Sequence, residues 1–226
     1  EFDRYHLADI NSDLINLYNI VKLRTADFIR DAQLLFTPEG NTEACYYQRR
    51  TEFNLSTDAY QRALLFLYLN RHCYNGLCRY NLRGEFNVPF GRYRKPYFPE
   101  AELLWFAERA QKATFVCESY DVTLTSAGKG SVVYCDPPYA PLSATANFTA
   151  YHTNSFSLRE QENLAMLAAQ LAASEHRIPV LISNHDTALT RLWYQDAVLH
   201  VVKARRSISR SITGRTKVDE LLALYR

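Results

Sequence analysis

The run Ser131-Val132-Val133-Tyr134-Cys135 reads as a strand, and it stops against Asp136-Pro137-Pro138-Tyr139. Two successive prolines donate no backbone hydrogen bond and fix φ, so the strand cannot continue through them and the chain must leave its sheet at a stiff corner. Around that corner, strand and helix patterns alternate. Residues 5–9 form a short strand ending in an acid. Asn11 or Ser12 can cap the helix that follows, whose Leu14, Leu17, Tyr18 and Val21 recur at helical spacing. Thr25 and Thr57 open further helices, the second with the stripe Tyr60, Ala63, Leu64 and Leu67. Pro99 opens another, with Glu100 and Glu102 in its first turn and Arg109 and Lys112 toward its end, as the helix dipole favours. Strands at 114–117 and 131–135, a helix at 157–174, a strand at 178–183 and a final strand pair near 198–206 and 219–225 complete the pattern. This alternation predicts an α/β fold with a mostly parallel, doubly wound sheet. Residues 25–112 read as an insertion between two parts of a core, 1–24 and 113–226.

Within the insertion the period changes. Phe86, Val88 and Phe90 alternate with Asn87, Pro89 and Gly91 after a turn signal at Arg83-Gly84, which predicts a hairpin or irregular ribbon over 75–97. Charge gathers there too. Residues 71–95 hold six lysines and arginines and one acid, and 203–217 hold six and none, although the whole chain carries only +2. Two basic stretches on an otherwise acidic body point to a polyanion held at a defined surface. Tyr74, Tyr80, Phe86, Phe90, Tyr93, Tyr97 and Phe98 interleave the first stretch and could stack on bases. The five cysteines include no Cys-x-x-Cys pair and read as buried reduced thiols of a cytoplasmic protein. No apolar run approaches the ~18–20 residues a membrane span needs.

The corner carries chemistry. In open α/β sheets ligands bind beyond the carboxyl ends of the strands, where 136–139 fall. The Asp136 carboxylate can accept a hydrogen bond from an exocyclic amine, the Pro137 carbonyl can accept another, and Tyr139 offers a ring for a planar base. An amine held by two acceptors turns its nitrogen lone pair out of the base plane, ready to attack an electrophilic methyl group in line. As a bare strand-end turn, Asp-Pro-Pro-Tyr would arise in a chain this long with a probability on the order of one in a thousand. Rival readings share parts of the pattern: a non-enzymatic DNA-binding module, or an amino-methyltransferase acting on cytosine N4, RNA adenine N6 or a protein glutamine.

Asp136-Pro137-Pro138-Tyr139, together with Leu7-Ala8-Asp9-Ile10-Asn11 and Ile182-Ser183-Asn184-His185-Asp186, resembles the Dam-type DNA adenine methyltransferases. The likeness covers essentially the whole chain. It implies a Rossmann-like methyltransferase sheet with an inserted helical and hairpin target-recognition domain, S-adenosylmethionine as methyl donor, no metal, and double-stranded DNA containing GATC as substrate. It further implies a monomer acting in the cytoplasm. By the resemblance, Asp9 binds the cofactor ribose and Ile10 its adenine, Ser119 and Tyr120 line the adenine pocket, Asp136 also contacts the cofactor, and Asp136, Pro137, Pro138 and Tyr139 hold the flipped target base. Tyr74 and Asn75 enter the gap left by that base. Leu77, Arg79, Pro89 and Tyr93 read base edges, with Arg92 beside them on the DNA side; Arg suits guanine O6/N7, and Leu and Pro suit the thymine methyl.

One departure stands out. The family's Lys-Trp-Ala-Gly-Gly-Lys segment and Phe-x-Gly-x-Gly loop are absent, the chain has only seven glycines, and its one methionine is Met166. The expectation is therefore a sheet without its first strand and a 226-residue polypeptide that is inactive alone, although the complete protein is an enzyme. Asn184-His185-Asp186 reads as a strand-end hydrogen-bond pair in preference to a metal site, Lys203 to Lys217 as a basic loop toward DNA phosphate, and Trp105 and Trp193 as core.

Overall fold

The computed structural model describes residues 2–141, 156–205 and 217–226. The chain divides into two compact units, Glu1–Ser119 and Tyr120–Arg226. The basic loop expected across Lys203 to Lys217 lies almost wholly outside the described residues.

In the first unit β1 (Tyr5–Ala8) pairs in parallel with β2 (Ala113–Val116), from Tyr5 opposite Ala113 to Ala8 opposite Val116. These neighbours are separated in sequence by the helices α1 (Ser12–Leu23), α2 (Thr25–Gln33), α3 (Glu43–Leu55), α4 (Ala59–His72) and α5 (Glu100–Ala110). Asn11 caps α1, its side-chain oxygen accepting from the Asp13 and Leu14 N–H groups. The stripe foreseen on α4 is too narrow. Ala63 and every residue from Leu65 to Leu69 are buried, because α1, α2 and α3 all pack on this helix.

A buried ion pair joins these helices. Asp13 accepts from Arg62 Nε at 2.9 Å and NH2 at 2.7 Å on one oxygen, and from the Tyr80 hydroxyl at 2.8 Å on the other. Arg62 also donates to the carbonyls of Phe53 and Ser56 and lies over the Phe53 ring. Losing one partner of such a pair strands a buried charge, at a cost of about 3–5 kcal/mol.

Residues 73–98 form the irregular ribbon that the sequence suggests, a 3₁₀ turn at Tyr74–Gly76 and the isolated bridges Cys73–Phe90 and Tyr80–Phe86. Gly91 is required where it sits: a Cβ there would lie 2.5 Å from the Cys73 carbonyl oxygen. The aromatics of the ribbon divide into two groups. Phe86 is buried, and Tyr80, Phe90 and Phe98 pack against the core, while Tyr74, Tyr93 and Tyr97 remain exposed.

In the second unit the strand order is β3 (Val133–Cys135), β4 (Val180–His185), β6 (Lys217–Tyr225), β5 (Val198–Arg205). Only the β3–β4 ladder is parallel; β4–β6 and β6–β5 are antiparallel. The mostly parallel sheet expected from the sequence is thus mixed. The cause is the link between β5 and β6, residues 206–216, which is shorter than the dozen or more residues a parallel crossover needs. Helix α6 (Tyr120–Thr125), α7 (Leu158–Ala173) and α8 (Ala188–Trp193) complete the unit. Its core gathers Leu164, Ala168, Val180, Ile182, Tyr194 and Leu221.

Two expectations change here. Trp105 is 59% exposed, because it lies on the outer face of α5 with the Arg109 guanidinium above its ring, while Trp193 is half-buried against the second core. All five cysteines are free, but only Cys73 is buried; Cys78 and Cys117 sit on exposed loop positions. Among the described residues no helix is long and apolar enough to cross a membrane.

His72 is buried, stacked on Tyr68 at 4.0 Å, and its Nδ1 donates to the Tyr68 carbonyl. Burial holds its pKa down at about 4, with the Arg49 and Arg71 charges acting the same way. Below its ordinary value the unfolded chain therefore binds a proton that the folded chain refuses. Stability should fall as pH drops from about 6.5 toward 4, by roughly 3 kcal/mol from this group. Urea denaturation across that window should show a steeper loss for the wild type than for His72→Phe; equal slopes would contradict this assignment.

Candidate active site

Beyond Cys135 the chain turns into Asp136-Pro137-Pro138-Tyr139, and each residue of the corner is held differently. Pro137 is buried, Asp136 and Pro138 are exposed, and Tyr139 is half-buried. The Asp136 Oδ1 accepts from the Ser183 hydroxyl on β4 at 2.8 Å. The Pro138 carbonyl accepts from Gln161 Nε2 on α7 at 2.6 Å. One residue past Tyr139, the Ala140 N–H donates to Asn184 Oδ1 at 2.8 Å, and the Ala140 carbonyl accepts from His185 Nδ1 at 2.7 Å.

The clamps are themselves tied together. Asn184 Nδ2 donates to Gln161 Oε1 at 3.1 Å and to the Tyr194 hydroxyl at 2.9 Å, and that hydroxyl donates on to Gln161 Oε1. Gln161, Asn184 and Tyr194 are all buried. Both hydrogens of the Asn184 amide are used and its oxygen accepts twice, from Ala140 and from its neighbour His185. A satisfied buried network of this kind is rigid, since breaking any member leaves the others unpaired in a low dielectric. Burial pushes the Tyr194 hydroxyl up to about 12, so it stays protonated and remains a donor.

Tyr139 packs edge-on against the His185 ring, centroids 4.9 Å apart, and its hydroxyl lies 3.5 Å from Glu220 Oε2 on β6. Burial raises its pKa, and the Asp136 and Glu220 charges add to that. The next residue of the Asn-His-Asp run, Asp186, is bound by Arg191 through both oxygens at 2.6 and 2.8 Å. Among the described residues no group of three or more His, Cys, Asp or Glu is placed to hold a metal.

The other residues singled out in the sequence fall as follows. Asp9 and Ile10 are exposed just past β1, beside the end of its parallel neighbour; the Asp9 N–H donates to the Val116 carbonyl, and the Asp9 carboxylate accepts from the Asn11 N–H at 2.7 Å. Ser119 ends the loop after β2. Tyr120 opens α6, its hydroxyl shared between Glu160 and Asn163 of α7, and is pushed up to about 12 by burial and that carboxylate.

In the ribbon, Tyr74, Asn75, Pro89 and Tyr93 come together. The Tyr74 N–H donates to the Pro89 carbonyl, and the Asn75 N–H donates to the Tyr93 hydroxyl at 2.9 Å. Asn75 sits in the left-handed region at φ 54, which Asn tolerates better than most residues. Exposed Leu77 follows. Arg79 Nε and NH2 donate to the side-chain and backbone oxygens of Asn87, which fixes the guanidinium and points the rest of its fork away from that contact. Arg92 is exposed, 3.5 Å from Glu43. A cleft of about 290 Å³ beside this group is lined by Arg71, Asn75, Tyr93, Lys95 and Tyr97 among others.

Sequence reasoning missed Gln161, Ser183, Asn184 and Tyr194 as supports of the corner. A signal was present: Ser183-Asn184 are polar residues closing an otherwise apolar strand.

The chain was compared with known proteins. The family model described as D12 class N6 adenine-specific DNA methyltransferase matches residues 1–208. A DNA adenine methylase of Serratia marcescens is 73% identical over 226 residues, all of this chain and 83% of that protein. One of Escherichia coli K12 is 69% identical over the whole chain and 81% of its own length. One of Vibrio cholerae O1 is 58% identical over 225 residues and 81% of its own length.

The buried network predicts strong coupling between its members. Gln161→Leu and Asn184→Leu should each cost about 1–3 kcal/mol by leaving polar groups unpaired. The double variant should cost clearly less than the sum of the two. Chemical denaturation of the four proteins checks this; additive losses would mean the two amides act independently.

Proposed function

This chain belongs to the D12 class N6 adenine-specific DNA methyltransferases, and from that premise we propose that it transfers a methyl group from S-adenosylmethionine to adenine N6 in double-stranded GATC. It is an enzyme of DNA adenine methylation. The observation that carries the finer reading is the clamped corner. Among the described residues Ser183 takes Asp136 Oδ1, and Gln161 takes the Pro138 carbonyl, while Asp136 Oδ2 and the Pro137 carbonyl take no donor. Two acceptors on a rigid loop are what an exocyclic amine requires.

The residues past β1 suit the cofactor. An exposed carboxylate at Asp9 is the usual partner of a ribose diol, and Ile10, 70% exposed, offers an apolar face for the adenine. The resemblance adds Ser119 and Tyr120 to the cofactor residues. The cofactor supplies an electrophilic methyl group. The chain's own part is to hold the target: Asp136 and the Pro137 carbonyl accept the two amine hydrogens, Tyr139 stacks on the base, and the nitrogen lone pair faces outward for attack. No general base is needed before that attack, since positioning and fixed charge lower the barrier.

On the DNA side, residues 25–112 act as the recognition insertion and 1–24 with 113–226 as the Rossmann-like methyltransferase core. Tyr74 and Asn75 fill the gap left by the extruded adenine, which offsets part of the few kcal/mol that flipping costs. Leu77, Arg79, Pro89 and Tyr93 read base edges, with Arg92 nearby. Asn87 leaves the outer fork of Arg79 available for guanine O6 and N7. The protein acts as a monomer on cytoplasmic DNA.

Asp136→Ala should reduce methyl transfer on the order of 10²–10³-fold or more while leaving DNA affinity close to wild type. Tritium transfer and a binding titration read the two separately, and loss of both together in a folded variant would contradict the assignment. Arg79→Ala should lose roughly 1–3 kcal/mol of discrimination at one guanine. Duplexes altered at each position of the site measure this; equal weakening on every sequence would make Arg79 a phosphate contact.

A further inference from the structure

Ser183 is buried, yet its hydroxyl is the meeting point of two polar side chains at the corner. It lies 2.8 Å from Asp136 Oδ1 and 3.1 Å from the Tyr134 hydroxyl. A serine has one proton to give. An ionised carboxylate only accepts, so that proton goes to Asp136, and Tyr134 must then donate to Ser183. The chain Tyr134 O–H to Ser183 O–H to Asp136 therefore runs in one direction.

We propose that Ser183 is a positioning residue for the methyl-transfer reaction: by occupying Asp136 Oδ1, it leaves Oδ2 as the oxygen that accepts the target amine. The inference rests on the reading of Asp136 given above. Its physical consequence is that the carboxylate cannot rotate about its Cβ–Cγ bond without breaking a charge-assisted hydrogen bond, so Oδ2 is held in one place. Tyr134 is 62% exposed, so its contribution reaches Asp136 through the serine, and its ring can lose the hydroxyl without disturbing the core.

The test compares wild type, Ser183→Ala, Ser183→Thr and Tyr134→Phe in steady-state methyl transfer, with thermal melting to establish that each variant folds. In Ser183→Ala kcat should fall about tenfold with KM for DNA unchanged, and Tyr134→Phe should lose severalfold in the same way. Ser183→Thr keeps the hydroxyl and should recover most of the loss. A wild-type kcat in folded Ser183→Ala and Tyr134→Phe overturns the proposal, as does a loss that a folded Ser183→Thr does not restore. If the Ser183 variants do not fold, Tyr134→Phe decides by the same split between kcat and KM. A wild-type protein that methylates no DNA would sink the functional reading, whereas active wild type with unaffected variants sinks the serine's role alone.

Discussion

The fold around 131–194 depends on how a proline-stiffened loop is anchored. Pro137 and Pro138 cannot donate to the sheet, so the corner relies on side chains for its fixed position. Ser183, Gln161, Asn184 and His185 supply four hydrogen bonds to a loop of five residues. The strand and helix that bear them, β4 and α7, pack directly on each other. The stiffness of the loop thus becomes stiffness of a site: the groups taken by the protein are fixed, and those left over are presented.

The first unit shows the same economy with a different chemistry. Asp13 lies at the start of α1, Arg62 on α4 and Tyr80 in the ribbon, and one carboxylate holds all three elements. Asn11 caps the same helix and reaches Cys78 Sγ with its amide. The two residues before it, Asp9 and Ile10, are the proposed cofactor contacts; Leu77 and Arg79, on either side of Cys78, are proposed readers of DNA. A short segment thereby links both roles through a buried ion pair and a helix cap.

Much of this was legible from the residues. Short strands bounded by prolines and acids, and helices with caps and apolar spacing, emerged close to their observed bounds, and the corner stood out because two prolines after a strand have few structural uses. Helix α3 was not legible, since only Tyr46 and Phe53 of its thirteen residues are buried and neither makes a stripe. Short α6 buries Leu124 alone. The antiparallel end of the second sheet needs knowledge of which strands are neighbours, which periodicity does not carry. The aromatic ribbon misled in the opposite direction: Phe86, Phe90 and Phe98 look like stacking platforms in sequence but serve the core, leaving Tyr74, Tyr93 and Tyr97 outside. Contacts across 49 positions, such as Asp13 with Arg62, are invisible to any local pattern.

The central claim is geometric: the corner grips the amine of an adenine withdrawn from the duplex. A crystal structure of the protein on a GATC duplex with a non-reactive cofactor analogue tests it most directly. The account predicts the target adenine outside the stack, its N6 within about 3 Å of both Asp136 Oδ2 and the Pro137 carbonyl oxygen, and its ring against Tyr139. An adenine still paired in the duplex, or an extruded base whose amine contacts neither acceptor, would contradict it.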